Sequence, residues 1–222
     1  MKTKFQISKW ALALGFTVIS YLGYAQTNDE KTMAEQIHLL QQAQTPEDFD
    51  AVAQQFSHIA EQTPEDWLPA YYTALALLQE GRRMLKDSTQ IPQLDPLTDK
   101  AWEYIKKAEA VSPPNAEIYI LKKIYHNLKL VVNPQKRYLT EIPEGKKALK
   151  MAQLLDPENP RITLLQAEEA YFIPPNFGGN RTQAMALFKK ALTQFETYRP
   201  KTALSPNWGK EEAMYFINSQ SF

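Results

Sequence analysis

A chain of 222 residues with 44% hydrophobic content can bury one sizeable core or build a short repeat array. Its 25 basic and 25 acidic residues cancel, which argues against the basic face that a nucleic-acid binder carries. The absence of cysteine excludes disulfides, thiol nucleophiles, zinc–thiolate sites and lipid attachment through an N-terminal cysteine.

The N-terminus reads as an address. Lys2, Lys4 and Lys9 precede an apolar run from Trp10 to Tyr24 that closes on Gly23-Tyr24-Ala25, and polar residues follow at once from Gln26 to Glu30. This is the basic, apolar and small-residue order of a secretory signal, with removal of residues 1–25 expected near Ala25-Gln26. The apolar run is about 15 residues, short of the ~20 that span a bilayer. No later segment is apolar enough to cross one, so the cleaved chain is expected to be periplasmic or secreted and not an integral membrane protein.

Helix signals dominate the rest. Thr45-Pro46-Glu47-Asp48 and Thr63-Pro64-Glu65-Asp66 both place a capping threonine before a proline that needs no donor, with acids facing the positive helix end. Helices are predicted at about 29–43, 46–62, 64–84, 96–111, 114–132, 142–155, 158–172, 180–197 and 207–218. Proline and asparagine clusters separate them. No stretch alternates apolar and polar residues long enough for a strand, so the fold class is all-α. Residues 26–62 are read as an N-terminal helix pair, 63–197 as three further pairs, and 198–222 as a turn and final capping helix.

One pattern recurs three times: Ala101-Ile105-Ala108, Gly145-Leu149-Ala152 and Ala184-Phe188-Ala191. Spacings of four and three put each set on one helical face, where the small residues let a neighbouring helix come close. Pro113 and Pro157 follow the first two sets by five residues.

This arrangement resembles the tetratricopeptide repeat over roughly residues 64–195. The resemblance implies antiparallel helix hairpins stacked as a short right-handed superhelix. The family's small position in the first helix of each pair falls on Ala74, Lys123 and Ala167, and its first aromatic position on Ala70, Tyr119 and Thr163, so Lys123 and Thr163 depart from the pattern. The alternative is a generic helical bundle. Surplus residues relative to the family period of about 34 fall in the segments Gly81–Thr98, Asn133–Gly145 and Ile173–Asn180, read as three long loops on one rim.

The resemblance also implies a concave groove lined by the first helices. Tyr71, Leu75, Glu117, Asn127, Arg161, Glu168 and Tyr171 are the candidate partner-binding residues there, unless the C-terminal segment closes the groove. Arg161 and Glu168 share a helix face and are read as solvated or weakly paired; Arg82-Arg83 and Lys122-Lys123 are read as solvated faces. On the rim, Asn176, Phe177, Gly178, Gly179 and Asn180 form the sharpest local feature. They make either a contact loop with Phe177 exposed or a rigid connection with Phe177 in the core, and the turn chemistry favours the second.

Catalytic and metal signals are weak. His38, His58 and His126 have no metal-ligand spacing, adjacent Glu168 and Glu169 diverge on a helix, and no nucleophile elbow or phosphate loop occurs. No metal or cofactor is expected. The expected function is an extracytoplasmic, non-catalytic scaffold that binds a protein or peptide. The alternative is a small-molecule-binding component of an envelope transport system, and an enzyme ranks last.

Overall fold

The computed structural model describes residues 30–219, so the expected signal peptide lies outside the described residues. Nine α-helices run through that span: α1 over 30–42, α2 Pro46–Gln62, α3 Trp67–Met84, α4 Leu94–Val111, α5 Ala116–Val132, α6 Pro134–Leu155, α7 Pro160–Phe172, α8 Arg181–Thr197 and α9 Lys210–Asn218. No strand occurs among the described residues, and the protein is all-α.

Local chemistry accounts for most helix starts. Thr45 Oγ1 accepts from the Asp48 N–H at 3.2 Å while Asp48 Oδ2 accepts from the Thr45 N–H at 3.0 Å, a reciprocal box that opens α2. The second tetrapeptide acts differently. Thr63 closes α2 through its N–H to Ile59 O, and Asp66 caps α3, so that helix begins at Trp67 rather than at 64. Asn115, Asn133, Asn159 and Asn180 cap α5, α6, α7 and α8 in turn.

The three recurrent faces are all inside. Ala101, Ile105, Ala108, Ala152, Ala184, Phe188 and Ala191 are fully buried, and Gly145 and Leu149 are buried. Helices α3 and α4, α5 and α6, and α7 and α8 pack as hairpins, with α2 against α3 and α4 against α5. Lys123 fills a small-residue position because its facing residue has shrunk. A Cβ on Gly145 would lie 3.4 Å from Lys123 Cδ, and the Lys123 ammonium reaches Glu169 Oε2 at 2.8 Å.

The rim differs from expectation. Only Ile173–Asn180 remains a loop through most of its length. Gly81–Thr98 contains the end of α3, a 3-10 helix over Ser88–Gln93 and the start of α4. Asn133–Gly145 is helical from Pro134 despite Pro143, a residue that ordinarily interrupts a helix. Tertiary ties hold that first stretch. Arg137 makes a bidentate pair with Asp95 at 2.7 Å for each bond and donates to Lys129 O, and His126 Nδ1 sits 2.7 Å from Glu141 Oε2.

Two apolar cores result. The larger gathers side chains from α1 to α7; the smaller holds Leu164, Ala167, Ala184, Phe188, Ala191 and Ala213. Helices α6 and α7 meet only lightly. The last hairpin joins the rest through Ile162 and Leu165 of α7 in the larger core and through the ion pairs of Arg161 with Glu117 and of Glu168 with Arg82.

Candidate functional site

The residues expected to line an open groove are covered. From Tyr198 onward the chain returns across the first helices, and its side chains and carbonyls bond to the residues expected to face a partner. Tyr72 donates to Leu204 O at 2.8 Å, and Trp208 Nε1 donates to the Tyr71 hydroxyl at 2.8 Å. Tyr71 in turn donates to Glu117 Oε2 at 3.1 Å. Arg161 Nε lies 3.0 Å from both Glu117 oxygens, and Arg161 stacks under the rings of Tyr198 and Trp208. Asn159 Nδ2 adds a bond of 2.6 Å to Glu117 Oε1. The Glu117 carboxylate thus has hydrogen bonds from three side chains. Burial and the nearby Glu117 charge hold the Tyr71 phenol well above its usual value.

Gly209 permits the turn out of this region. Its φ is +106°, and a Cβ there would lie 2.9 Å from both Leu164 Cδ2 and the Phe195 ring, so glycine alone fits. Beyond it α9 lies against α8 and meets a second charged junction. Arg82 donates to Glu168 and, at 3.1 Å, to Glu212 Oε2, while Gln79 Nε2 donates to Glu212 Oε1 at 3.1 Å. Burial first, then the Glu212 charge, pushes the Glu168 carboxyl up to about 7 against the pull of Arg82 and Lys123.

Tyr71, Leu75, Glu117, Arg161 and Glu168 are therefore buried, not presented along an open channel, and Asn127 and Tyr171 are half-buried. Four charged positions read as solvated are corrected. Arg161 is 1% exposed, Glu168 is buried and paired with Arg82, Lys123 is buried and bonded to Glu169, and Arg82 joins two acids. The C-terminal segment covers Arg161 through Trp208 and meets Arg82 through Glu212, whereas Lys123 is covered at Gly145 of α6 and Glu169 of α7.

The loop at 173–180 is closed by backbone hydrogen bonds within itself and to α7. Gly179 N–H donates to Pro174 O at 3.2 Å, Asn180 N–H donates to Ala170 O at 2.8 Å, and a Cβ on Gly179 would fall 1.6 Å from Ile173 O. Phe177, however, stands 77% exposed, which corrects the expectation of a core ring. A short 3-10 turn over Pro175–Phe177 lifts it off the protein. Asn176, Gly178 and Asn180 are exposed too, and Gly179 is half-buried.

Next to this loop the sequence reading missed an aromatic ledge. Phe216 of α9 stacks on Phe188 of α8 at 4.4 Å and meets Tyr171 and Phe172 of α7 at 5.1 and 5.7 Å. Tyr215 joins its neighbour Phe216 at 5.5 Å. Phe172 is 66% and Tyr215 67% exposed, so the ledge is floored by buried Phe188 with half-buried Tyr171 and Phe216 and edged by open rings. The Arg181 guanidinium sits 4.8 Å over the Tyr171 ring. The available signal was an apolar stretch from Ala213 to Ile217 too rich for an idle tail.

Metal chemistry has little to build on in this span. Among the described residues no group of three or more His, Cys, Asp or Glu gathers, and the three histidines bond to Gln42, Gln62 and Glu141. A cleft of ≈ 190 Å³ at Glu109, Ser112–Asn115, Ile118 and Tyr119 falls below the roughly 300 Å³ at which ligand pockets begin. No helix among the described residues is long and apolar enough to cross a membrane.

No family model matches the chain, and no curated protein matches it. Among solved structures, the chain is similar to the HusA haemophore from Porphyromonas gingivalis, with 27% sequence identity and a TM-score of 0.74, over 86% of this chain and 92% of that one. That neighbour is a helical binding protein and shares the architecture described above.

Proposed function

We propose that this chain is an exported, non-catalytic binding protein whose cargo is a flat, largely apolar small molecule of the porphyrin class, with haem as the leading member. The observation that carries the reading is the likeness to a haemophore across nearly the whole described fold. The aromatic ledge supports it independently. Rings of Phe172, Tyr215 and Phe216 offer faces and edges to a planar macrocycle, each contact contributing on the order of 1 kcal/mol beyond area burial. Arg181 at its margin suits a carboxylate on the cargo's edge. Tyr215 is an exposed phenol whose oxygen would be available to ligate a haem iron.

This reading favours the small-molecule function over the peptide scaffold, because the groove a peptide would occupy holds residues 198–209 instead. The tetratricopeptide-like stacking of the hairpins, and a periplasmic or external location after signal removal, belong to the same proposal.

The test is a titration of the chain from Gln26 onward with haem and, separately, with metal-free protoporphyrin, followed by Soret absorbance and tryptophan quenching. Binding of either supports the reading, and the difference between the two separates ring stacking from iron ligation. Phe172→Ala is expected to weaken binding roughly tenfold. If neither porphyrin binds the wild-type chain, the cargo assignment is wrong.

A further inference from the structure

We infer that α9 is a latch on the aromatic ledge, fastened by the junction of Arg82, Glu168 and Glu212, and that it closes in mildly acidic solution and loosens as pH rises. The latch itself stands on geometry; only its consequence for cargo rests on the ledge being the binding surface.

Two carboxylates from different helices share one guanidinium. Arg82 of α3 donates through one Nη to Glu168 of α7 and through the other to Glu212 of α9. Gln79 of α3 supplies the remaining bond to Glu212 but no charge. Lys123 of α5 also faces Glu168, yet its ammonium is bonded to Glu169. Glu168 is 7% exposed at its side chain, so its charge is dry as well as opposed by Glu212.

The segment is built to move on one side only. Trp208 and Gly209 are locked between Tyr71, Arg161 and Leu164. Past that point α9 has nine residues and a single fully buried side chain, Ala213. Gly209, in the left-handed region, is the natural pivot. Swinging α9 away would remove Tyr215 and Phe216 from the ledge and leave Phe188 uncovered.

The direction of the pH effect follows from linkage. With α9 docked, burial and the Glu212 charge raise the Glu168 carboxyl from an ordinary 4.5 to about 7. With α9 released, Glu212 departs and the carboxyl falls toward its ordinary value. The docked state holds the proton more tightly. This contribution to docking is fully present below the ordinary value and is lost as pH rises through the docked one. Cargo retention is therefore strongest in a mildly acidic medium.

Hydrogen exchange on the cargo-free chain tests this. At pH 6 and pH 8, corrected for intrinsic exchange, protection over Lys210–Asn218 should fall on the order of tenfold relative to α2. Glu168→Gln cannot ionise and should keep the acid value at both pH values. Equal behaviour of α9 and α2, or an unchanged slope in Glu168→Gln, overturns the latch. Should that variant fail to fold, Glu212→Gln serves: a reduced slope supports the junction, and a wild-type slope overturns it. Protoporphyrin titration at the same two pH values separates the two claims. An exchange slope without porphyrin binding sinks the cargo reading and leaves the latch; binding without a slope does the reverse.

Discussion

The C-terminal segment meets the hairpins in two opposite ways. Its first part, through Leu204, Trp208 and Gly209, is consumed by the groove, where donors and acceptors from Tyr71, Tyr72, Glu117 and Arg161 meet one another and the returning chain. Its last part, α9, gives up rings without covering them, and Tyr215 and Phe172 stay open to solvent. The first is a polar seam between two apolar cores; the second is a surface with unspent apolar area. Residues in the candidate-groove positions of a helical array are thus no guarantee of a binding groove. Here they serve cohesion, and the open rings lie at the edge of the covering segment.

That contrast can be broken from either side. Glu117→Ala leaves the Arg161 guanidinium buried without its partner, and an uncompensated buried charge costs about 3–5 kcal/mol. Urea unfolding should show a loss of that size; a loss under 1 kcal/mol would mean the seam is slack. Gly209→Ala forces a Cβ into the Leu164 and Phe195 side chains at a positive φ, with an expected cost of about 2–3 kcal/mol by the same measurement. An unchanged midpoint would show that the turn can relax. Tyr215→Ala should do almost nothing to stability, within about 0.5 kcal/mol, because the ring is mostly exposed. It should still weaken porphyrin binding roughly tenfold. A stability loss as large as that of Gly209→Ala would place Tyr215 with the seam and not with the ledge.

Much of the architecture was legible from short-range signals. Asparagine and threonine caps, prolines at first helical positions and the spacing of Ala101, Ile105 and Ala108 act within a turn or two, so they announce helices and buried faces in the linear sequence. The first turns of α6 were hidden because Pro143 argues against them locally, while the Arg137–Asp95 pair that holds them joins residues 42 apart. The ledge was hidden for a similar reason, since Phe172, Phe188 and Phe216 look like ordinary core residues until the helices are assembled.

By itself the sequence determined an all-helical chain with recurring small-residue faces, because helix capping and periodicity are properties of neighbours. The resemblance to the tetratricopeptide repeat implied that Tyr71, Glu117, Arg161 and Glu168 share one lining. Only the tertiary structure decided that this lining is covered, because the Trp208–Tyr71 bond closes a separation of 137 residues and burial depends on what arrives from that distance. Arg161 and Glu168 would have been ordinary surface charges on an open array; the returning chain made one the centre of a seam and the other part of a junction that holds α9.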